Sequence, residues 1–311
     1  MRVVSSLVEV KGPGGEHPSL AITIGNFDGV HRGHQILLRN LKDIAQSRGL
    51  SFVAVTFSPH PRKVIQAPTE GFLLCSEEQR RKWLEEAGVD WLVEVSFTRD
   101  FSTLSAEQFL DEYILNQSKV QEIYLGWDFA FGAHKSAGAA EVQAHCSKMN
   151  IKVEVCPRYS VENINVSSSL IRQCLSKGEV EETQEYLGRP FSLEGLVVKG
   201  EGRGKRLGVP TANLKLNPDL MLPARGVYIT ETVSRGMIFR SVTNVGKNPT
   251  FKEDGPSWVE THILDFDGDI YGETIEVKFL KRLREEKKFS SVENLLKQIH
   301  LDIGLARAYD H

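Results

Sequence analysis

The feature that most constrains the fold is a change of rhythm along the chain. From residue 20 to about 176, short apolar runs alternate with helix-patterned segments, and after EYLGRP (185–190) the chain reads as strands and tight turns. The runs 20–24, 51–57, 91–95, 122–126 and 151–155 have the length and β-branched content of buried parallel strands. Ser76-x-x-Gln79 and Ser105-x-x-Gln108 have the form of capping boxes, and Gly88 stands where a C′ glycine ends a helix. Strands alternating with helices predict βαβ units and a doubly wound sheet, with ligands beyond the carboxyl ends of its strands.

The later runs, 193–198, 226–231, 237–245, 259–266 and 273–280, are linked by hairpin-like signals at Ser234-Arg235-Gly236 and Asp267-Gly268-Asp269. Alternation puts Ile275, Val277 and Phe279 on one face, and Ser290-x-x-Glu293 opens a last helix running to about Leu305. The expectation is an α/β doubly wound domain over 1–187 and a small antiparallel β-barrel closed by a helix over 188–311. A chain of 311 residues is long enough for two cores.

Charge and composition narrow the partners. The net charge is −3 and the basic residues are spread along the chain, which argues against a surface for duplex nucleic acid. No stretch approaches the ~18 consecutive apolar residues of a membrane span, and MRVVSSLVEV lacks a signal-peptide pattern. Cys75, Cys146, Cys156 and Cys174 are widely separated, as free thiols in a reducing compartment are. A cytoplasmic protein with small-molecule partners, no nucleic acid and no membrane is expected, its oligomeric state open.

Two segments carry chemistry. GNFDGVHRGHQ (25–35) joins the end of a strand to the start of a helix through a glycine turn. A helix N-terminus offers free N–H groups and a favourable dipole to phosphate, and His31 and His34 in its first turn add donors for charge that develops in a transition state. Nucleotidyl transfer needs little more than that. Two readings compete for the histidine pair: surface histidines without a role, and a zinc half-site, which no further ligand cluster completes at usual spacing. In the second segment, GEGRGKRLGVPTANL (200–214), glycines among basic residues make an anion-friendly loop. A strand through Thr211 and Asn213 would put both side chains on one face, where with nucleotide phosphates they can ligate Mg²⁺. There is no Walker A loop: Gly204-Lys205 is followed by Arg206. Asp265, Asp267, Asp269 and Glu276 have EF-hand spacing, yet Ile270 takes the glycine position and the flanks read as strands.

With GNFDGVHRGH (25–34), TFSPHP (56–61), GWDFAFG (126–132) and VSSSLIR (166–172) in order, the first half resembles the FMN adenylyltransferase module of bacterial bifunctional riboflavin kinase/FAD synthetases, of the HxGH nucleotidyltransferase superfamily. Residues 188–303 resemble its flavokinase domain through LGRPFSLEG, GRGKRLGVPTANL, GVYIT, NVGKNPTF, ETHILDFDGDIYGE and FLKRLREEKKF. The resemblance implies a Rossmann-like first domain and two reactions: riboflavin plus ATP to FMN, then FMN plus ATP to FAD and pyrophosphate. It implies ATP contacts from Gly25, Phe27, His31, His34, Ser168 and Arg172 in the first half and from Gly202, Gly204, Lys205, Thr211 and Asn213 in the second. It implies flavin contacts from His60, Asp128 and Phe129, Mg²⁺ held with ATP by Thr211 and Asn213, and Glu260 as the base that takes the riboflavin hydroxyl proton. His31 and His34 would be catalytic in the first half.

One departure is visible. The family writes DFRFG where this chain has DFAFG, so Ala130 replaces an arginine, and the loop 133–138 differs, with Lys135 offering a substitute charge. Two other readings stand beside the leading one: a nucleotidyltransferase of another acceptor joined to the kinase, and a flavin-binding regulator whose first half has lost activity. Retention of His31, His34, Ser168 and Arg172 speaks against the second, and Ala130 for it.

Overall fold

The computed structural model describes residues 1–68, 71–131, 137–200, 202–247 and 257–310, apart from the side chains of Arg203, Lys205, Lys247 and Ser257. Two compact units divide the chain: Met1–Thr69 with Glu77–Ser167, and Glu70–Ser76 with Ser168–His311.

In the first unit, β1 (Arg2–Val4), β2 (Ser19–Ile24), α1 (Arg32–Arg48), β3 (Ser51–Ser58), α2 (Pro61–Ile65), α3 (Glu77–Glu86) and β4 (Trp91–Ser96) lead to α4 (Ala106–Phe109). That helix continues as a π-helical stretch, Leu110–Leu115, before β5 (Lys119–Leu125), β6 (Ala130–Phe131), β7 (Ala137–Gly138), α5 (Ala139–Ser147), β8 (Lys152–Val155), β9 (Ser160–Val161) and β10 (Ile164–Asn165). The six-stranded sheet runs β1-β4-β3-β2-β5-β8 and every pairing is parallel. Strand alternation divides its residues between two cores. Ile22, Val53, Val55 and Ile123 face one layer, and Ala21, Phe52, Ala54 and Leu92 meet Leu37, Leu38 and Leu41 of α1 on the other. The Ser105 capping box is made reciprocally with Gln108, and Gly88, at φ +87°, follows α3. Edge strand β1 escapes sequence reading because it is three residues long and largely exposed.

In the second unit, α6 (Ser168–Lys177) and α7 (Val180–Leu187) precede β11 (Phe191–Val198), one helical turn α8 (Arg203–Arg206), β12 (Ala212–Lys215), β13 (Gly226–Ser234), β14 (Met237–Lys247), β15 (Ser257–Ile263), β16 (Thr274–Arg284) and α9 (Val292–Arg307). The strands close a barrel in the order β11-β12-β15-β14-β13-β16, every pairing antiparallel. Phe191, Leu193, Tyr228, Val277 and Phe279 are buried in the unit, while Ile229 and Leu280 meet Ala306 and Ile303 of α9. The earlier segment 70–76 belongs here: Phe72 and Leu73 donate from their N–H groups to Asp219 O at 2.8 and 2.9 Å, and Met221 N donates to Leu73 O at 2.8 Å.

The Arg235-Gly236 turn joins β13 to β14 with positive φ at both residues, as a two-residue hairpin requires. Two local expectations fail. Asp267-Gly268-Asp269 is no hairpin, because β15 pairs with β12 and β14 while β16 pairs with β11 and β13, so the chain there passes between strands that are not neighbours. The cap of α9 is Ser291, whose Oγ accepts from Asn294 N at 3.2 Å; Ser290 instead accepts from the Asn294 side chain.

Candidate active sites

At the carboxyl end of β2 the backbone turns through Phe27, Gly29 and Val30, all at positive φ, and enters α1. Phe27 folds its ring over Gly25, where a Cβ would stand 3.2 Å from the ring. His31 is the N-cap of α1: its Nδ1 accepts from His34 N at 3.4 Å. That bond makes Nδ1 the acceptor, so the neutral ring carries its proton on Nε2 as a donor. The His31 and His34 rings stack with centroids 3.7 Å apart, and His34 meets the Phe27 ring edge-on at 5.3 Å. A Cβ at Gly33 would stand 3.2 Å from the His31 ring and 3.9 Å from Tyr159 Cβ, so the glycine inside HRGH leaves clearance for the imidazole.

The other first-unit residues singled out above leave the same end of neighbouring strands, since β3 and β5 flank β2. His60, after β3, caps α2 by accepting from Arg62 N at 3.1 Å, with Pro61 in the first helical turn. Asp128, after β5, is exposed, and a Cβ at Gly126 would lie 3.3 Å from its Oδ1. Phe129 is half-buried against the core. Sequence reading did not find the neighbours of this turn: Arg158 lies over the Trp127 ring at 4.3 Å, and Phe131 stacks on Phe109 at 3.9 Å. A cavity of about 530 Å³ opens near the end of β4, lined by Ser5, Glu94, Ser96, Thr98, Phe101 and Tyr113; His60, Asp128 and Phe129 are not among its lining residues. Among the described residues, no group of three or more His, Cys, Asp or Glu comes together to hold a metal.

Ser168 and Arg172 lie in the first turns of α6, in the second unit. Arg172 donates from Nε to Phe72 O at 2.7 Å and lies 5.8 Å from the Phe72 ring, so part of its guanidinium fork is fixed by the 70–76 segment.

On the barrel, β12 and β15 bring the kinase candidates together. Asn213 faces Glu260 in register, and Asn244 of β14 faces Glu260 from the other side. Trp258, two residues before Glu260 and therefore on the same face, donates its indole N–H to Asn213 Oδ1 at 2.7 Å and to Glu260 Oε1 at 3.0 Å. This bridge was not foreseen, although the i, i+2 spacing of Trp258 and Glu260 signals a shared face. Asn213 is 5% exposed. The loop glycines explain themselves sterically: a Cβ at Gly200 would overlap the Asn213 amide, and one at Gly204 would strike Val209 O and stand 3.3 Å from Thr211 Oγ1. Gly202 takes φ +69°. Lys135, residues 248–251 of NVGKNPTF and the Lys205 side chain lie outside the described residues.

The FAD synthetase family model matches residues 15–170 and the riboflavin kinase family model residues 187–309. A bifunctional riboflavin kinase/FMN adenylyltransferase of Listeria monocytogenes is 34% identical over 289 residues, 93% of this chain and 91% of the relative. The chain belongs to this bifunctional family. Relatives of the same description in Bacillus subtilis and Escherichia coli K12 are 33% and 32% identical, covering 92% and 93% of this chain and 91% and 92% of their own lengths. A structure solved as a macrolide-efflux protein of Streptococcus pneumoniae matches with TM-score 0.86 at 31% identity, covering 99% of both chains. Efflux is said of that protein; among the described residues here no helix is long and apolar enough to cross a membrane. Like its family, the chain is an enzyme of flavin-cofactor synthesis: it phosphorylates riboflavin to FMN and adenylylates FMN to FAD.

Proposed function

We propose that ATP is the donor in both reactions, with adenylyl transfer assigned to residues 1–187 and phosphorylation to 188–311, in the cytoplasm. In the first reaction an FMN phosphate oxygen attacks the α-phosphorus of ATP and pyrophosphate leaves. His31, with its protonated Nε2, and His34 donate to the oxygens on which charge accumulates. Gly25 and Phe27 shape the turn beneath the nucleotide, Ser168 and Arg172 hold phosphate, and His60, Asp128 and Phe129 contact the flavin.

In the second reaction the riboflavin hydroxyl attacks the γ-phosphorus of ATP, the bond to the β-phosphate oxygen breaks so that ADP leaves, and Glu260 accepts the hydroxyl proton. The Trp258 bridge carries this reading, because one indole N–H holds the proposed base and the proposed ligand amide together. Thr211 and Asn213 offer hard oxygen donors and the glycines opposite them leave the clearance that a Cβ would fill, a set that fits Mg²⁺ brought by ATP. When bound, Mg²⁺ would neutralise phosphate charge. Gly202, Gly204 and Lys205 place the loop against the phosphates.

The test is to incubate the protein with riboflavin, Mg²⁺ and ATP and to separate FMN from FAD by chromatography. FMN followed by FAD is expected. FMN that accumulates without FAD overturns the assignment of the first half.

A further inference from the structure

The barrel carries a polar feature that the chemistry above does not use. Thr230 and Thr232 on β13, Ser241 and Thr243 on β14 and Thr261 on β15 are all fully buried. Their hydroxyls close a ring. Thr230 bonds Thr243 at 2.7 Å, Thr243 bonds Thr261 at 2.9 Å and Thr261 bonds Thr232 at 3.4 Å. Thr232 bonds Ser241 at 2.8 Å, and Ser241 returns to Thr230 at 2.8 Å.

Each hydroxyl has one proton, so five hydroxyls joined by five bonds are satisfied when each donates once and accepts once in a single sense. Thr243 donates to Thr261. The sense then runs from Thr261 to Thr232, on to Ser241, to Thr230 and back to Thr243. With every proton used and no solvent exposure, the ring has no donor left for a ligand.

Its position gives its use. Thr243 faces Thr261 in register, and the next pair along the same strands is Asn244 with Glu260. Successive side chains alternate between the two faces of a strand, so the Asn213–Glu260–Asn244 row lies on the reverse side of the Thr243–Thr261 bond. A slip of one residue would turn Glu260 to the inner face. The neighbouring buried pair Val245–Val259 opposes the same slip by burial, and the Thr243–Thr261 bond adds a directional contact that fixes the spacing and angle of the two strands beside Glu260.

We propose that the hydroxyl ring is a positioning device for the kinase carboxylate, with Thr261 and Thr243 as the members that fix Glu260. The proposal rests on reading Glu260 as the proton acceptor. Thr261→Val removes the hydroxyl and keeps the shape, whereas Thr261→Ser keeps the hydroxyl. Both variants are assayed in the full chain for FMN formation, with a thermal melt as the control of barrel folding and FAD formation from supplied FMN as the control of the first half.

Thr261→Val is expected to lower kcat for FMN formation about tenfold, leaving the riboflavin KM and the FAD reaction unchanged, while Thr261→Ser restores kcat. In a Glu260→Gln background, Thr261→Val should cost nothing further, because the group it positions is gone. A folded Thr261→Val with normal kcat and an inactive Glu260→Gln overturns this proposal alone. A tenfold loss in both backgrounds also overturns it, since the ring would then act elsewhere. Full kcat in Glu260→Gln by itself removes the base reading and the proposal with it. Should Thr261→Val fail to fold, Thr243→Val, at the other end of the same bond, carries the same expectations.

Discussion

Gly200→Ala tests whether the glycine is kept for clearance above the kinase amide. The added Cβ would stand 2.7 Å from Asn213 Cγ and 2.8 Å from Oδ1, and closer still to Nδ2. Carbon contacts settle at about 3.5–4.0 Å, so the amide must retreat by roughly 0.8 Å. Asn213 is buried and its Oδ1 accepts from Trp258 at 2.7 Å; a retreat of that size breaks the bond at a cost of about 1 kcal/mol. A Tm lowered by about 2–4 °C should follow for a unit of this size. The proposed metal-ligating oxygen moves with the amide, and a displacement near 1 Å can cost up to about 10²-fold in rate. The expected result is kinase kcat/KM down by about 10–10²-fold, with FAD formation from supplied FMN unchanged. Gly200 is not among the positive-φ glycines, so backbone strain does not compete as an explanation. Normal kinase activity with an unchanged Tm would refute the clearance argument.

Glu260→Gln keeps an oxygen for the Trp258 N–H but no proton acceptor, and should lower kcat for FMN formation by about 10²–10⁴-fold with riboflavin affinity nearly constant; a thermal melt and kinase assay on one preparation check it. His31→Ala should cut FAD formation by about 10²–10³-fold and cost about 1 kcal/mol through the lost cap of α1. His31→Asn should recover the stability and not the rate, and FMN formation should be untouched in both. Burial pushes the Tyr228 phenol up to about 12, above the ordinary value of about 10. The folded state therefore favours the neutral phenol: its contribution is complete below pH 10 and is lost as pH rises from 10 to 12, in all about 3 kcal/mol. Tyr228→Phe should remove that part of the alkaline destabilisation in denaturant melts, and identical alkaline slopes for the two proteins would contradict it.

The parallel strands were legible because burial on both faces writes itself as continuous apolar runs, and the Ser105 box because a cap needs only neighbours in sequence. What was missed depends on partners distant in sequence. The chain reads Tyr-x-Thr-x-Thr on β13, and nothing local says that those threonines meet others on β14 and β15 inside a closed barrel. The Asp267–Asp269 segment looked like a hairpin turn because turn residues mark a reversal without saying which strand receives the chain. Gly200 and Gly204 read only as parts of an anion-friendly loop, whereas the structure adds a steric reason, the space taken by Asn213 and by Val209 with Thr211. The HxGH turn was legible in outline. The acceptor role of His31 Nδ1 was not, since it is decided by one backbone N–H in three dimensions.

The segment at 70–76 also sets a timetable for synthesis. Phe72 and Leu74 are buried in the finished protein, in a segment paired with residues 219–221. A ribosome that adds about 5–20 residues per second delivers those partners roughly 7–30 s after the segment itself. Through that interval the nascent chain can complete the parallel sheet on either side of a short apolar loop whose backbone partners do not yet exist. A message truncated before residue 219 would release a chain in which Phe72 and Leu73 lack the backbone partners that Asp219 and Met221 provide, so a stalled product differs from the finished protein at this segment even where its parallel sheet is complete.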